Sequence, residues 1–452
     1  MTRMKKAITK TPSRRINSGV RLWERAKKII PGGNQLLSKR SEMFLPGQWP
    51  AYYSKAKGAY VWDLDGNKYL DMGIMGIGAC MLGYADPDVN RAVKAAIDRG
   101  SASTLNPPEE VELAELLCKI HPWADMVRYA RAGGEAMAIA VRIARVYTGR
   151  EKVAFCGYHG WADWYLAANI ADDKALDGHL LPGLDAGGVP RGLKGTMLPF
   201  HYNAIDELEA LVKEHGKDIG VIVMEPMKGQ EPKDDFLQKV RAIADRIGAV
   251  LIFDEITVGF KMTYGGAHMK YKVYPDIAVF SKAMSNGFPM AAVIGRRKVM
   301  EAAQDTFISS TMWTENTGPV AALATLKKMK KIGLAKRLDA IGTKVRKGWT
   351  DAASKHGLSI TIAGVVPISS FAFQYGDDSQ ALKTLFVQEM LDRGFLAPTM
   401  CFASYAHTDT HIRTYLAAVD ATFAVLREAI ETNTIHKKLR GPVAHTGFAR
   451  LN

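Results

Sequence analysis

Apolar positions recur along this chain at two spacings, and the alternation between the spacings sets out a fold. From about residue 17 to 30, Val20, Trp23, Ala26 with its neighbour Lys27, and Ile30 follow one another at three to four, which predicts a short amphipathic helix that Pro31-Gly32-Gly33 stops. Between Ala59 and Met72 the period changes to two on either side of Asp65-Gly66, the pattern of a hairpin. From about 85 to 325, helical stretches alternate with short apolar runs at 152–155, 220–224, 249–254, 277–280 and 291–295. Strands alternating with helices predict βαβ units and a largely parallel sheet covered on both faces. A helix from about 318 to 331 follows, then further helix and a strand around Ser369 to Gln374. The expected organisation is an amino-terminal arm, helix and β segment over 1–84 that joins a small domain. A large α/β domain spans 85–325, and a smaller α+β domain spans 326–452.

Composition narrows the class. With 452 residues, 47% hydrophobic and 23% charged, the chain has material for a sizeable core and is unlike a disordered one. Cys80, Cys118, Cys156 and Cys401 form no C-x-x-C pair, so neither a zinc site nor a disulfide framework is suggested and a reducing cytoplasm is expected. No apolar run reaches the length of a spanning helix and no secretory h-region opens the chain, so neither export nor membrane insertion is expected. The formal net charge of +14 raises the possibility of nucleic-acid binding, but only the start is clustered. Arg3, Lys5, Lys6, Lys10, Arg14 and Arg15 precede the first acid, Glu24, and read as a mobile basic arm; later basic residues are interleaved with acids.

The stretch from Val250 to Gly295 carries the chemistry. One apolar strand ends in Asp254-Glu255, and a second is followed by Ser281-Lys282. Ligands of a parallel α/β sheet sit beyond the carboxyl ends of its strands, so these two ends deliver an acid and an amine to one crevice. Taken alone, the pair is equally readable as a salt bridge.

A longer set of segments surrounds it: PGGN at 31–34, YVWDLDGNKYLDM at 60–72, GGEAMAIAVRIARVYTGREKV at 133–153, YHG at 158–160, GVP at 188–190, MEP at 224–226, LIFDEITVGF at 251–260 and YPDIAVFSKAMSNGFPMAAVIGRR at 274–297. In this order they resemble the class III pyridoxal-phosphate aminotransferases, and among these the glutamate-1-semialdehyde aminomutases. The resemblance implies a PLP-dependent transferase of fold type I, with pyridoxal 5′-phosphate as cofactor and a homodimer as the working unit. It implies that Lys282 carries the cofactor as a Schiff base and then moves the proton, and that Asp254 holds the pyridine nitrogen in its charged form. Gly133 and Gly134 match the phosphate-binding turn before a helix. The family often has Ser-Gly-Thr or Ser-Gly-Ser there, whereas Ala132-Gly133-Gly134 lacks the hydroxyl and must rely on backbone donors.

Tyr158 matches the aromatic residue that stacks on the ring. Glu225 matches an acid near the ring oxygen, or is a capping acid before Pro226. Thr311 matches a threonine that reaches the phosphate of the partner subunit's cofactor, or caps the following helix with Ser309 and Ser310. His159 and Glu255 read as structural residues. Arg40 is the candidate for a substrate carboxylate; Trp161, Trp164, Met312 and Trp313 are pocket or core. The activity implied is a ping-pong transamination between an amine or amino-acid donor and a carbonyl acceptor. The alternative is an aminomutase, with the Gly-rich 170–195 stretch as lid. The glycine pair and GNQLLSKR after the prolyl turn favour the transaminase.

Overall fold

The computed structural model describes residues 18–179 and 182–447. The basic arm ending at Arg15 lies outside these. Fourteen strands occur among the described residues: β1 (Tyr53–Lys57), β2 (Tyr60–Asp63), β3 (Lys68–Asp71), β4 (Met126–Ala130), β5 (Lys152–Cys156), β6 (Met197–Pro199), β7 (Ile219–Met224), β8 (Val250–Asp254), β9 (Ile277–Phe280), β10 (Ala291–Gly295), β11 (Ile360–Val365), β12 (Ile368–Phe373), β13 (Phe395–Leu396) and β14 (Met400–Phe402).

Seven of them make the central sheet, in the order β4-β10-β9-β8-β7-β5-β6. The run from β9 to β6 is parallel, while β10 is antiparallel to both β9 and β4. All five apolar runs read from the sequence are strands of this sheet. Their side chains alternate between two cores because successive residues of a strand point to opposite faces. Val221, Val223 and Ile252 join one cluster with Met137, Ala140 and Val141 of the helix Gly133–Thr148. Ile222, Met224, Leu251 and Phe253 join the other with Leu237, Val240 and Ile243 of the helix Phe236–Ile247. Each such side chain contributes about 1.5–3 kcal/mol on burial, so the middle strands are the least free to shift. That rigidity is what fixes the site at their ends.

The amphipathic segment is a helix at Ser18–Ile29, and the two-period segment is the β2–β3 hairpin, pairing Tyr60 with Leu70 and Trp62 with Lys68. Its turn is organised by Asp63, whose carboxylate accepts from the backbone N–H groups of Asp65 and Asn67. β13 extends this sheet by pairing in parallel with β3, so the two ends of the chain share one layer. The strand expected near 369–374 is β12, flanked by β11 and β14. The helix expected at 318–331 is Thr317–Ile332. Among the described residues no helix is long and apolar enough to cross a membrane.

Candidate active site

Four adjacent parallel strands end on one crevice. In sheet order, Lys282 lies two residues beyond β9, Asp254 closes β8, Glu225 follows β7, and Tyr158 lies two residues beyond β5. Lys282 has a left-handed backbone, φ 46, at the start of a short 3₁₀ turn. Such a conformation in a non-glycine residue persists only where its surroundings enforce it. Its amine donates to the Thr257 hydroxyl at 3.0 Å. Burial lowers its proton affinity, and the charges of Asp254 and Glu225 partly restore it.

Asp254 is buried. One carboxylate oxygen accepts from the Ile256 N–H at 3.0 Å, and the other faces Nδ1 of His159 at 2.9 Å. The Nε2 of His159 faces the Cys156 carbonyl at 3.1 Å, so each ring nitrogen meets an oxygen and the imidazole is fixed. His159 therefore braces Asp254. Glu225 accepts from the Tyr158 N–H at 3.3 Å, and its proton affinity is raised by burial and then by Asp254. Tyr158 is part-exposed, and burial with the Asp254 charge raises its hydroxyl pKa. Glu255 points away: it accepts from the Ala267 and His268 N–H groups and from His268 Nδ1, holding the start of the helix Ala267–Tyr271. It is structural, as its neighbouring position suggested.

The Gly133–Thr148 helix has Ala132 at its N-cap and no side-chain cap, while Glu135 engages the N–H groups of Arg131 and Ala132. The first-turn N–H groups of Gly133 and Gly134 are left for an anion. This turn packs directly against the Tyr158 loop. A β-carbon at Gly160, φ 106, would fall 3.0 Å from the Gly134 α-carbon, and one at Gly133 would fall 2.8 Å from Ile256. Gly160, on a positive φ against backbone, is thus closed to larger residues, while at Gly133 the Ile256 side chain would have to shift. The crevice therefore joins a helix start without a side-chain cap, a flat aromatic face, a buried carboxylate and an amine whose proton affinity burial lowers. That donor set fits a phosphorylated pyridine aldehyde.

The rim is different. Trp161 lies over Gly134 and is mostly exposed. Thr311 and Met312 are exposed on a short 3₁₀ turn, with Trp313 packed on the core beneath. Among the described residues no hydrogen bond joins Thr311 or Met312 to Lys282; the Lys282 amine is on Thr257. Trp164 belongs to the core, where it stacks on His159. The Arg40 guanidinium lies against Gly32 in the amino-terminal segment. Part of the 170–195 stretch is pinned to the site: His179 Nδ1 accepts from the Gly157 N–H at 3.1 Å, and Lys228 donates to the His179 carbonyl at 2.8 Å. Sequence reading did not single out Thr257, Lys228 or His179. Thr257 had one available signal, its place three residues beyond Asp254.

The chain matches the family model for aminotransferase class-III over residues 46–403. It is 30% identical over 424 residues to a 3-aminobutyryl-CoA aminotransferase of Cloacimonas acidaminovorans, covering 90% of this chain and 97% of that one. It is 34% identical over 414 residues to a glutamate-1-semialdehyde 2,1-aminomutase of Desulfitobacterium hafniense, covering 86% and 94%. Among solved structures, the FumI protein of Sphingopyxis sp. MTA144 in its PLP internal aldimine form superposes with a TM-score of 0.82 at 25% identity, over 92% of this chain and 97% of that one. An omega-transaminase from Sphaerobacter thermophilus gives 0.79 at 26%, over 91% and 98%. The chain thus belongs to the class-III aminotransferases, and its cofactor is pyridoxal 5′-phosphate.

Proposed function

We propose that this protein is a transaminase that moves an amino group from an amine or amino-acid donor to a carbonyl acceptor in two half-reactions, with Lys282 as the covalent anchor of the cofactor. The observation that carries this reading is the half-buried Lys282 amine, which stands with Asp254 and Glu225 at three successive strand ends, with its proton affinity lowered by burial. Bound pyridoxal phosphate supplies an electron sink for the substrate's α-carbon. The protein's own residues do the rest. Asp254, braced by His159, would pair with the ring nitrogen. Tyr158 would stack on the ring, Glu225 would stand near its oxygen, and the Gly133 and Gly134 N–H groups would hold the phosphate. Lys282, displaced by the incoming amine, accepts and returns the substrate proton, for which a lowered proton affinity is required.

In the same reading residues 85–325 form the cofactor domain, and 1–84 with 326–452 build the smaller part. The working unit is a homodimer in which Thr311 serves the partner's phosphate site and Met312 and Trp161 line the substrate entrance. The exposure of these rim residues supports it. Arg40 is the carboxylate ligand, and the four unpaired cysteines suit a cytoplasmic enzyme.

A second reading, an aminomutase that retains one substrate through both half-reactions, is supported by the 34% identity to glutamate-1-semialdehyde aminomutases. The visible spectrum of the holoenzyme, followed while amines and amino acids are added without acceptor, separates the two. Conversion to the aminated cofactor with release of a carbonyl product is expected for the transaminase. A cofactor that no simple donor converts would favour the aminomutase.

A further inference from the structure

Three arginines hold one exposed segment by its backbone. Arg142 donates to the Phe307 carbonyl at 3.1 Å, Arg128 to the Ile308 carbonyl and Arg131 to the Glu315 carbonyl. A guanidinium usually takes a carboxylate, whose shape its fork matches, yet no ion pair among the described residues includes any of the three. The Glu315 carboxylate is engaged on the next helix, accepting from the Thr317 N–H at 2.8 Å and the Thr317 hydroxyl at 2.9 Å. Arg131 also meets the Ala130 carbonyl at 3.4 Å and the Met290 sulfur at 3.3 Å, so its guanidinium is fixed. Between the clamped ends, Ile308 and Trp313 pack on the core beneath, while Ser309, Ser310, Thr311, Met312 and Thr314 are exposed. The turn itself is shaped: the Thr314 hydroxyl donates to the Thr311 carbonyl at 2.9 Å, and the Trp313 N–H to the Ser310 carbonyl at 3.2 Å. All three arginines come from the elements that build the glycine turn. Arg128 lies on β4, Arg131 stands two residues before Gly133, and Arg142 is on the helix Gly133–Thr148. One body thus carries both Gly133-Gly134 and Thr311.

We propose that Arg128, Arg131 and Arg142 are positioning residues for the cofactor site of the partner subunit: by holding both ends of the 307–315 segment, they aim Thr311 at the phosphate bound there. The proposal rests on the reading of the protein as a homodimer in which Thr311 crosses to the partner. An exposed turn left free would sample many backbone states, and fixing it in advance removes that ordering cost from cofactor binding. Charge-assisted hydrogen bonds to carbonyls suit the task, because they hold the main chain and leave the Thr311 side chain unencumbered. Each phosphate site is then built from two chains, with the glycine turn from its own and the aimed threonine from the other.

The test titrates the full-length dimer, freed of cofactor, with pyridoxal phosphate and reads the dissociation constant from the visible band of the lysine-bound form. Thr311→Val is expected to weaken binding about tenfold, the loss of one hydrogen bond to a charged group. Arg131→Met should weaken it by a similar factor and add nothing to Thr311→Val. Arg131→Lys, which can still donate to the Glu315 carbonyl, should recover most of the affinity. Hybrid dimers locate the effect. With Lys282→Ala in the chain that carries Arg131→Met, the band comes from the unaltered chain alone, and its affinity should fall as in the Arg131→Met homodimer. With Lys282→Ala in the otherwise unaltered chain, affinity should stay near normal. A loss confined to the substituted chain's own site, or one that adds in full to Thr311→Val, overturns the proposal. Thr311→Val without effect overturns the reading of Thr311 instead. If Arg131→Met does not fold, Arg142→Met, on an exposed residue, goes through the same titrations and hybrids, and the same outcomes decide.

Discussion

The floor of the crevice and its rim are built on opposite principles. On the floor, Asp254 and Lys261 are buried and Glu225 and Lys282 half-buried, and each polar group is held by a named partner: His159, the Tyr158 N–H, and both oxygens of Thr257. Outside the floor, Leu105, Phe307, Trp161 and Met312 are 80%, 81%, 74% and 61% exposed, apolar side chains that the described residues leave uncovered. A large exposed apolar set marks a surface that another molecule completes. The floor is thus finished by one chain, and the rim calls for a second copy in the proposed dimer.

Breaking the floor should have the largest effect. Lys282→Ala removes anchor and base together, so turnover is expected to fall roughly 10³-fold or more while the far-ultraviolet circular dichroism stays unchanged. Asp254→Asn keeps the shape but deletes the charge under the ring; steady-state rates should fall about 10²–10³-fold, with cofactor still bound. The rim comes next. Phe307→Glu combined with Leu105→Glu should shift sedimentation toward the monomer and reduce activity in proportion, with each separated chain keeping its fold. Activity intact in a monomer would remove the distinction between floor and rim. Gly160→Ala places a β-carbon against the Gly134 backbone on a left-handed residue, with an expected loss of about 1–3 kcal/mol in chemical denaturation and weaker cofactor retention.

Glu225→Gln should have the smallest effect, and pH reveals it. The folded protein holds the Glu225 proton more tightly than the unfolded chain, whose value lies near 4.5. The contribution of this group to stability is complete below that value and declines as pH rises through the folded one. Glu225→Gln escapes the decline, so melting temperatures of mutant and unaltered protein should converge in acid and separate in the mutant's favour toward neutrality.

Much of the floor was legible in the sequence, for a physical reason. Strands buried on both faces must be continuously apolar, so IGVIVM and VLIFD stood out, and the acids that end them were conspicuous. The strands that escaped notice are those that need less burial. β4, MVRYA, carries Arg128, whose guanidinium reaches the Ile308 carbonyl from the sheet edge, and β6 is short and ends in proline. Strand direction was also invisible, because β10 has the same apolar run whether parallel or antiparallel. Within the site, Lys282, Asp254 and Tyr158 stood in a recognisable order of motifs. The braces showed less: His159 and Thr257 stood inside the same motifs without their contacts being readable, and those contacts form only when β5, β8 and β9 lie side by side. Lys261 reads as an ordinary surface lysine until the Glu255–Lys261 turn folds it inward.

The central claim, that Lys282 is the covalent seat of the cofactor, is tested most directly by reducing the pyridoxal-phosphate holoenzyme with borohydride, digesting it, and locating the pyridoxyl group by mass spectrometry. The account predicts the label on the peptide containing Lys282, and none there in Lys282→Ala. A label on Lys261 or any other lysine, with Lys282 unmodified, would contradict it.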